Sequence, residues 1–326
     1  MVTTLMVGGC GDESPAGVDA ATVGDGAATC APGTGWTPAP ALARGPTQET
    51  AVVAVTGRLY VLGGFDASLG VVAAVQVFDP ATCAWSDGPP LPRAVHHANA
   101  TVIGTTIWIT GAMEGLSFES VGHVWSWDTA AATAWTEHAA MPAGTPRGAS
   151  VVGAIGTTIV VAGGLRDGAV AEVSALDTST GTWSTVPALP ANRDHACGAV
   201  VGGTLYAIGG RAGAINALTG SVEAYTPGGT WVPRAAMPTP RGGAACGVIG
   251  ERIIVVGGEG NPATATGVFA EVEAYTPSTD TWETLAPMVS PRHGMGAAVI
   301  GGRLYVPGGA DAQGFAAVAT HDVFTP

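Results

Sequence analysis

Six arginines recur where repeated positive charge could gather an anion. Arg44, Arg93, Arg147, Arg193, Arg241 and Arg292 make up half of the 12 basic residues, all of them arginine. The last four each stand 16 residues before the first glycine of a recurring pair, while Arg44 and Arg93 stand 19 and 18 before theirs. Guanidinium groups present a planar fork of donors suited to carboxylate or phosphate. Converging, they would form a positive funnel on a chain whose net charge is −13. The competing use is structural: a residue repeated in every unit does the unit's job, bonding carbonyls or carboxylates of the adjacent unit. Four histidines sit beside them, His96, His97, His195 and His293. Neutral imidazole suits zinc, copper or iron. These histidines belong to the second, fourth and sixth units, which are not neighbours, so no shared ion and no metal site is expected.

The elements that carry these residues follow from a tryptophan repeat. Trp36, Trp85, Trp135, Trp183, Trp231 and Trp282 are separated by 49, 50, 48, 48 and 51 residues. Gly63-Gly64, Gly163-Gly164, Gly209-Gly210, Gly257-Gly258 and Gly308-Gly309 keep the same beat, with Gly111-Ala112 in the second unit. Such self-similarity means one supersecondary unit copied several times. In residues 193–238, two apolar runs flank Gly202-Gly203, which reads as a β-hairpin. A variable loop follows, then a third strand at 222–225, a tight turn, and a fourth strand holding Trp231. Each unit is a four-stranded antiparallel meander. One such sheet cannot bury both faces alone, and radial stacking of these sheets is the β-propeller. The paired glycines let the second strand end against close neighbouring backbone. The chain ends after a third strand and begins its pattern with a lone fourth strand around Trp36. The expected fold is all-β, a six-bladed propeller over residues 30–326 whose last blade is completed by the N-terminal strand.

These residues resemble the kelch repeat: the opening Arg, the hairpin, Gly-Gly, the Asp79-to-Trp85 segment and the Met-Pro or Leu-Pro close. The resemblance covers about residues 30–326. It implies that the opening arginines lie near the mouth of a central channel. It places the loops after Gly-Gly, which bear Arg166 and Arg211, on the same face. Arg93, Arg147, Arg166, Arg193, Arg211, Arg241 and Arg292 are therefore the candidate ligand-binding set. Function belongs on the variable loops, here residues 65–73, 113–122, 165–170, 211–220, 259–270 and 310–317. Glu114, Glu119, Asp167, Glu259 and Asp311 are their candidate acids or bases, and Phe118, Phe269 and Phe315 a candidate apolar lip. The cross-linked Cys–Tyr of kelch-type copper radical oxidases has no counterpart, because all five tyrosines occupy repeat positions. The Glu-x-x-x-Asp-x-x-x-His of the iron-dependent specifier proteins does not occur. Sialic acid mutarotases, which pair Arg with a carboxylate in the channel, are not excluded.

Composition narrows the partners. An acidic chain without a basic run is a poor partner for nucleic acid. Leu5 to Cys10 is apolar, ends in small residues and stops at a Cys. It resembles the lipobox of bacterial lipoproteins, which implies residues 1–10 as a signal remnant lipidated at Cys10 and residues 11–29 as an acidic, flexible tether. Any membrane contact is then through that anchor, and the protein is expected to be extracytoplasmic, periplasmic or at the cell surface. Export would permit disulfides among Cys30, Cys83, Cys197 and Cys246. Their pairing stays open, and buried free thiols suit Cys197 and Cys246 equally well. The reading is a monomeric binding or scaffold module without cofactor or catalytic residues, recognising a protein or carbohydrate through the loop face. The alternative is an enzyme acting on a small acidic sugar, with Arg clamping its carboxylate.

Overall fold

The computed structural model describes Cys30 and residues 33–326. Cys10 and the tether at 11–29 lie outside the described residues. Among the described residues, six four-stranded antiparallel sheets form the blades, and a two-stranded sheet pairs Thr47–Gln48 with Phe65–Asp66. Blade one comprises Ala51–Val55, Arg58–Leu62, Val75–Asp79 and Ala84–Asp87, and blade four Cys197–Val201, Thr204–Ile208, Val222–Tyr225 and Val232–Arg234. The first strand of each blade packs against the first strands of both neighbouring blades, and this contact chain closes on itself from blade six to blade one. Blade six takes its fourth strand from Gly35–Pro38, antiparallel to His321–Thr325 with Trp36 opposite Phe324. Blade two departs from the plan. Its second and third strands, Thr106–Glu114 and Glu119–Asp128, run on into a long hairpin. The loop expected at 113–122 is therefore mostly strand, with a turn at 115–118.

The repeated residues join the blades. Indole N–H groups donate to a carbonyl one blade back: Trp85 to Pro40 at 2.9 Å, Trp135 to Pro89 at 3.0 Å, Trp231 to Pro187 at 2.9 Å and Trp282 to Ala235 at 2.9 Å. In the glycine pairs the second N–H donates to the next blade, as from Gly164 to the Arg193 carbonyl at 2.9 Å. A Cβ on Gly209 would stand 2.9 Å from the Arg241 carbonyl oxygen, at a φ of +63°. A side chain would clash there and adopt a disfavoured backbone. In blade two, with Ala112 as the second residue, Asn99 makes the link: its Nδ2 donates to the Arg147 carbonyl at 2.9 Å. Two disulfides resolve the open pairing. Cys30–Cys83 ties the closing strand's approach to blade one, and Cys197–Cys246 joins the innermost strands of blades four and five.

His321 is buried between blades six and one, against Phe78, Trp85 and Tyr305. Burial pushes its pKa down to about 4. An unfolded His titrates near 6.5, so between these values the unfolded state binds more protons and stability falls with falling pH. The contribution is complete above 6.5 and lost by about pH 4. At ~1.4 kcal/mol per unit it amounts to about 3 kcal/mol. We expect His321→Gln, which can still donate to the Pro40 carbonyl, to flatten this part of the stability–pH profile in urea titrations. An unchanged slope would contradict the assignment.

Candidate functional site

The chain enters each innermost strand through one residue that stands 14 positions before the first glycine of the pair. These are Glu49, His97, Ala149, His195, Gly243 and Gly294. All six have left-handed φ, between 50° and 65°. Each one's N–H donates to the carbonyl of its counterpart one blade back: His97 to Glu49 at 3.1 Å, Ala149 to His97 at 3.0 Å, His195 to Ala149 at 3.0 Å, Gly243 to His195 at 2.9 Å, Gly294 to Gly243 at 3.0 Å and Glu49 to Gly294 at 2.5 Å. The result is a closed ring of six hydrogen bonds. All six residues line a cavity of about 200 Å³, with the innermost strands as its walls.

Three side chains of this ring meet. His97 Nε2 lies 3.0 Å from His195 Nε2 and 3.0 Å from Glu49 Oε2. The expectation that these histidines stand too far apart is thus corrected. It measured separation in blades, but at the rim of the channel the ring is small, and second neighbours touch across it.

The hydrogen-bond network assigns the tautomers. His96 Nε2 lies 3.0 Å from the Gly115 carbonyl, so that nitrogen carries the proton. His96 Nδ1 then accepts from His97 Nδ1, 2.5 Å away. His195 directs Nδ1–H at the Asp194 carboxylate. Both facing Nε2 atoms therefore carry lone pairs when the rings are neutral. Burial, and then His97, push His96 down to about 4. Burial, and then the Arg211 guanidinium, lower His195. Burial alone would raise the Glu49 carboxyl, whereas positive charge on His97, and then on His195 and His293, holds it well below the usual carboxylate range.

Arg211 completes the cluster. Its Nε donates to Asp194 Oδ1 at 3.0 Å, its Nη1 to Glu259, and its Nη2 faces His195 Nε2 at 3.1 Å. Above the ring, Phe65, Phe118 and Phe315 group with His96, with Phe65 and His96 centroids 4.1 Å apart and Phe65 and Phe315 5.4 Å apart. Of the three candidate phenylalanines, Phe118 and Phe315 come together around the buried Phe65, whereas Phe269 is not in this group.

The other candidate arginines go elsewhere. Arg147, Arg193, Arg241 and Arg292 are 0–3% exposed. Arg292 donates to the carbonyls of Gly308 at 2.9 Å, Val306 at 3.0 Å and Ser290 at 2.8 Å, and to Asp322 at 2.7 Å. Arg147 bonds Gly163, Thr145, Val161 and Ser174, Arg193 pairs with Glu223, and Arg241 with Glu273. Each holds its own blade together rather than the next blade, because its guanidinium bonds second-strand carbonyls and third-strand polar groups. Arg93 is exposed and paired with Glu114 at 2.6 Å, and Arg166 with Glu172 at 2.8 Å. Of the seven, Arg211 reaches the channel cluster. Glu259 joins it, whereas Glu49 and Asp194 were missed as site residues. The 14-residue register that aligns Glu49 with His97 and His195 was the available signal.

Residues 32–210 match the KLHDC2/KLHL20/DRC7 Kelch-repeats domain, and residues 192–238 and 240–289 match the Kelch motif. This chain belongs to the kelch-repeat family. The kelch propeller described here is 31% identical over 298 residues to Kelch-like protein terF of Aspergillus terreus, covering 86% of this chain and 65% of that protein. It is 26% identical over 257 residues to Kelch-like protein 23 of Homo sapiens, covering 78% of this chain and 44% of that protein. This kelch chain therefore spans less than two thirds of the length of either relative. In blades three to six the opening Arg is used in building the blade, and the Gly-Gly pairs are used in joining blades.

Proposed function

We propose that this kelch propeller is a binding module for a protein partner, engaged through the loops of blades one, two and six at the channel mouth. Kelch proteins generally bind protein partners. The observation that carries the reading is the exposed apolar side chains on those three loops: Leu69 at 38%, Leu116 at 59% and Phe315 at 49% exposure. Buried core residues cannot serve a partner, whereas apolar groups exposed on loops at one face offer area for a partner to cover. Two disulfides and the lipobox-like Cys10 support an exported, surface-held protein. Display of a random peptide library on the whole chain is expected to enrich ligands with apolar or aromatic anchors. Phe315→Ser/Leu116→Ser should lose that enrichment while unfolding at the same temperature. Failure of the wild-type chain to enrich any sequence, or equal enrichment by the variant, would sink the reading. The alternative enzyme on an acidic sugar draws support from Arg211 beside His195 and Glu259. However, a cavity of about 200 Å³ is small against the ~300–1,000 Å³ of ordinary ligand pockets.

A further inference from the structure

We propose that Glu49, His97 and His195 form a binding site for a divalent transition-metal cation of the zinc type at the mouth of the channel. Two imidazoles and one carboxylate are a ligand set that zinc accepts, leaving one position for water. The donor atoms already converge. Two of the three separations are 3.0 Å and all lie within 4.8 Å. The edge of a tetrahedron with ~2.05 Å metal–ligand bonds is about 3.3 Å.

The case rests on lone pairs that face one another. His97 Nε2 and His195 Nε2 are both acceptors in the neutral tautomers fixed by Gly115, His96 and Asp194. His293 repeats the pattern. Its Nε2 donates to the Ala312 carbonyl at 3.0 Å, leaving Nδ1 as a lone pair. That Nδ1 is buried and has no hydrogen-bond partner. It faces Glu49 Oε1 at 3.7 Å and Glu259 Oε2 at 3.6 Å. Electron-pair donors packed against each other at buried positions repel unless a positive charge lies among them.

Charge balance points the same way. Glu49, Asp194 and Glu259 have side-chain exposures of 11%, 0% and 3%, and Arg211 is the guanidinium bonded among them. With neutral imidazoles the cluster carries an excess of two negative charges, which a divalent cation neutralises. The Asp194 carboxylate on His195 Nδ1–H is the outer partner that metal-bound histidines ordinarily have. Arg211 Nη2 now donates to the His195 lone pair. On metal binding it gives up that contact and keeps its two carboxylates. The competing occupant of the site is a proton shared by His97, Glu49 and His195.

The test uses the full chain, dialysed against chelator and titrated with Co²⁺ and Zn²⁺. Expected are a visible cobalt band of a low-coordinate nitrogen–oxygen site, saturating at one equivalent and displaced by Zn²⁺, and a rise in the unfolding temperature with either metal. His97→Gln and His195→Gln should each abolish the band. Asp194→Asn should weaken metal binding about 10–100-fold. His123→Asn, outside the ring, should change nothing. Should the ring variants fail to fold, the wild-type titration still decides. Absence of the cobalt band, or a band that survives in folded His97→Gln or His195→Gln, overturns the proposal. A protein whose unfolding temperature ignores both metals leaves the proton as occupant and overturns it too. None of these outcomes depends on the peptide-binding result.

Discussion

Arg292→Met is expected to cost about 3–5 kcal/mol of stability, the range for removing one partner of a buried ion pair. The guanidinium is fully buried and bonds three carbonyls as well as Asp322, itself buried. Methionine fills much of the volume but leaves a carboxylate and three carbonyl oxygens without donors in the middle of blade six. The penalty should therefore come from the orphaned charge rather than from lost packing. Arg292→Met/Asp322→Leu should recover a large part of the loss, because an apolar pair of similar volume avoids desolvating any charge. Urea titrations of the single and double variants check this. Arg93→Ala, which removes an exposed partner of Glu114, serves as the comparison and should leave the midpoint in place. If Arg292→Met unfolds at the same urea concentration as Arg93→Ala, the in-blade role assigned to the opening arginines is wrong.

Removal of the Cys30–Cys83 bridge should have an effect of similar size. The bridge spans 53 residues, for which chain entropy predicts about 4 kcal/mol. Its position adds a structural consequence. The closing strand Gly35–Pro38 holds to His321–Thr325 by four paired positions, and the bridge keeps that strand's approach pinned to blade one. In Cys30→Ser/Cys83→Ser, amide hydrogen exchange should accelerate first in residues 35–38 and 321–325, before the inner strands. Uniform exchange across all blades would contradict a local role in ring closure. Free-thiol labelling of the chain as recovered from its native compartment tests export at the same time. An oxidised pair fits an extracytoplasmic protein, whereas four free thiols in residues 30–326 would count against one.

The ring at the channel mouth shows how local and non-local causes combine. Each of its six positions adopts a left-handed backbone, although four are not glycine. This conformation is tolerated because each N–H is satisfied by the preceding blade, so the ring of hydrogen bonds offsets the strain. The same geometry aims the side chains at one another. Ala149, Gly243 and Gly294 leave space, and Glu49, His97 and His195 fill it. A propeller thus brings together at its axis residues that lie about 50 or 100 positions apart in the chain.

By itself the sequence determined the repeat, the number of blades and the way the ring closes. Tryptophan spacing, glycine pairs and the unpartnered end strands are local signals, and each corresponds to a bond within a blade or to the next one. It also determined that the opening arginines of units three to six share one register and that a Gly-Gly pair marks five of the six units. Whether those arginines point into the channel or into their own blade was a tertiary question. The answer turned on the second-strand carbonyls that capture them, and a repeat motif is silent about side-chain direction. Only the tertiary structure decided that His97 and His195 meet Glu49, because closeness at the axis depends on the radius of the inner ring rather than on separation along the chain. It also decided the disulfide pairing, since Cys197 and Cys246 share a register in neighbouring inner strands whose distance no spacing rule supplies. Strand periodicity is written residue by residue, whereas the chemistry of the channel exists only where six separate turns converge.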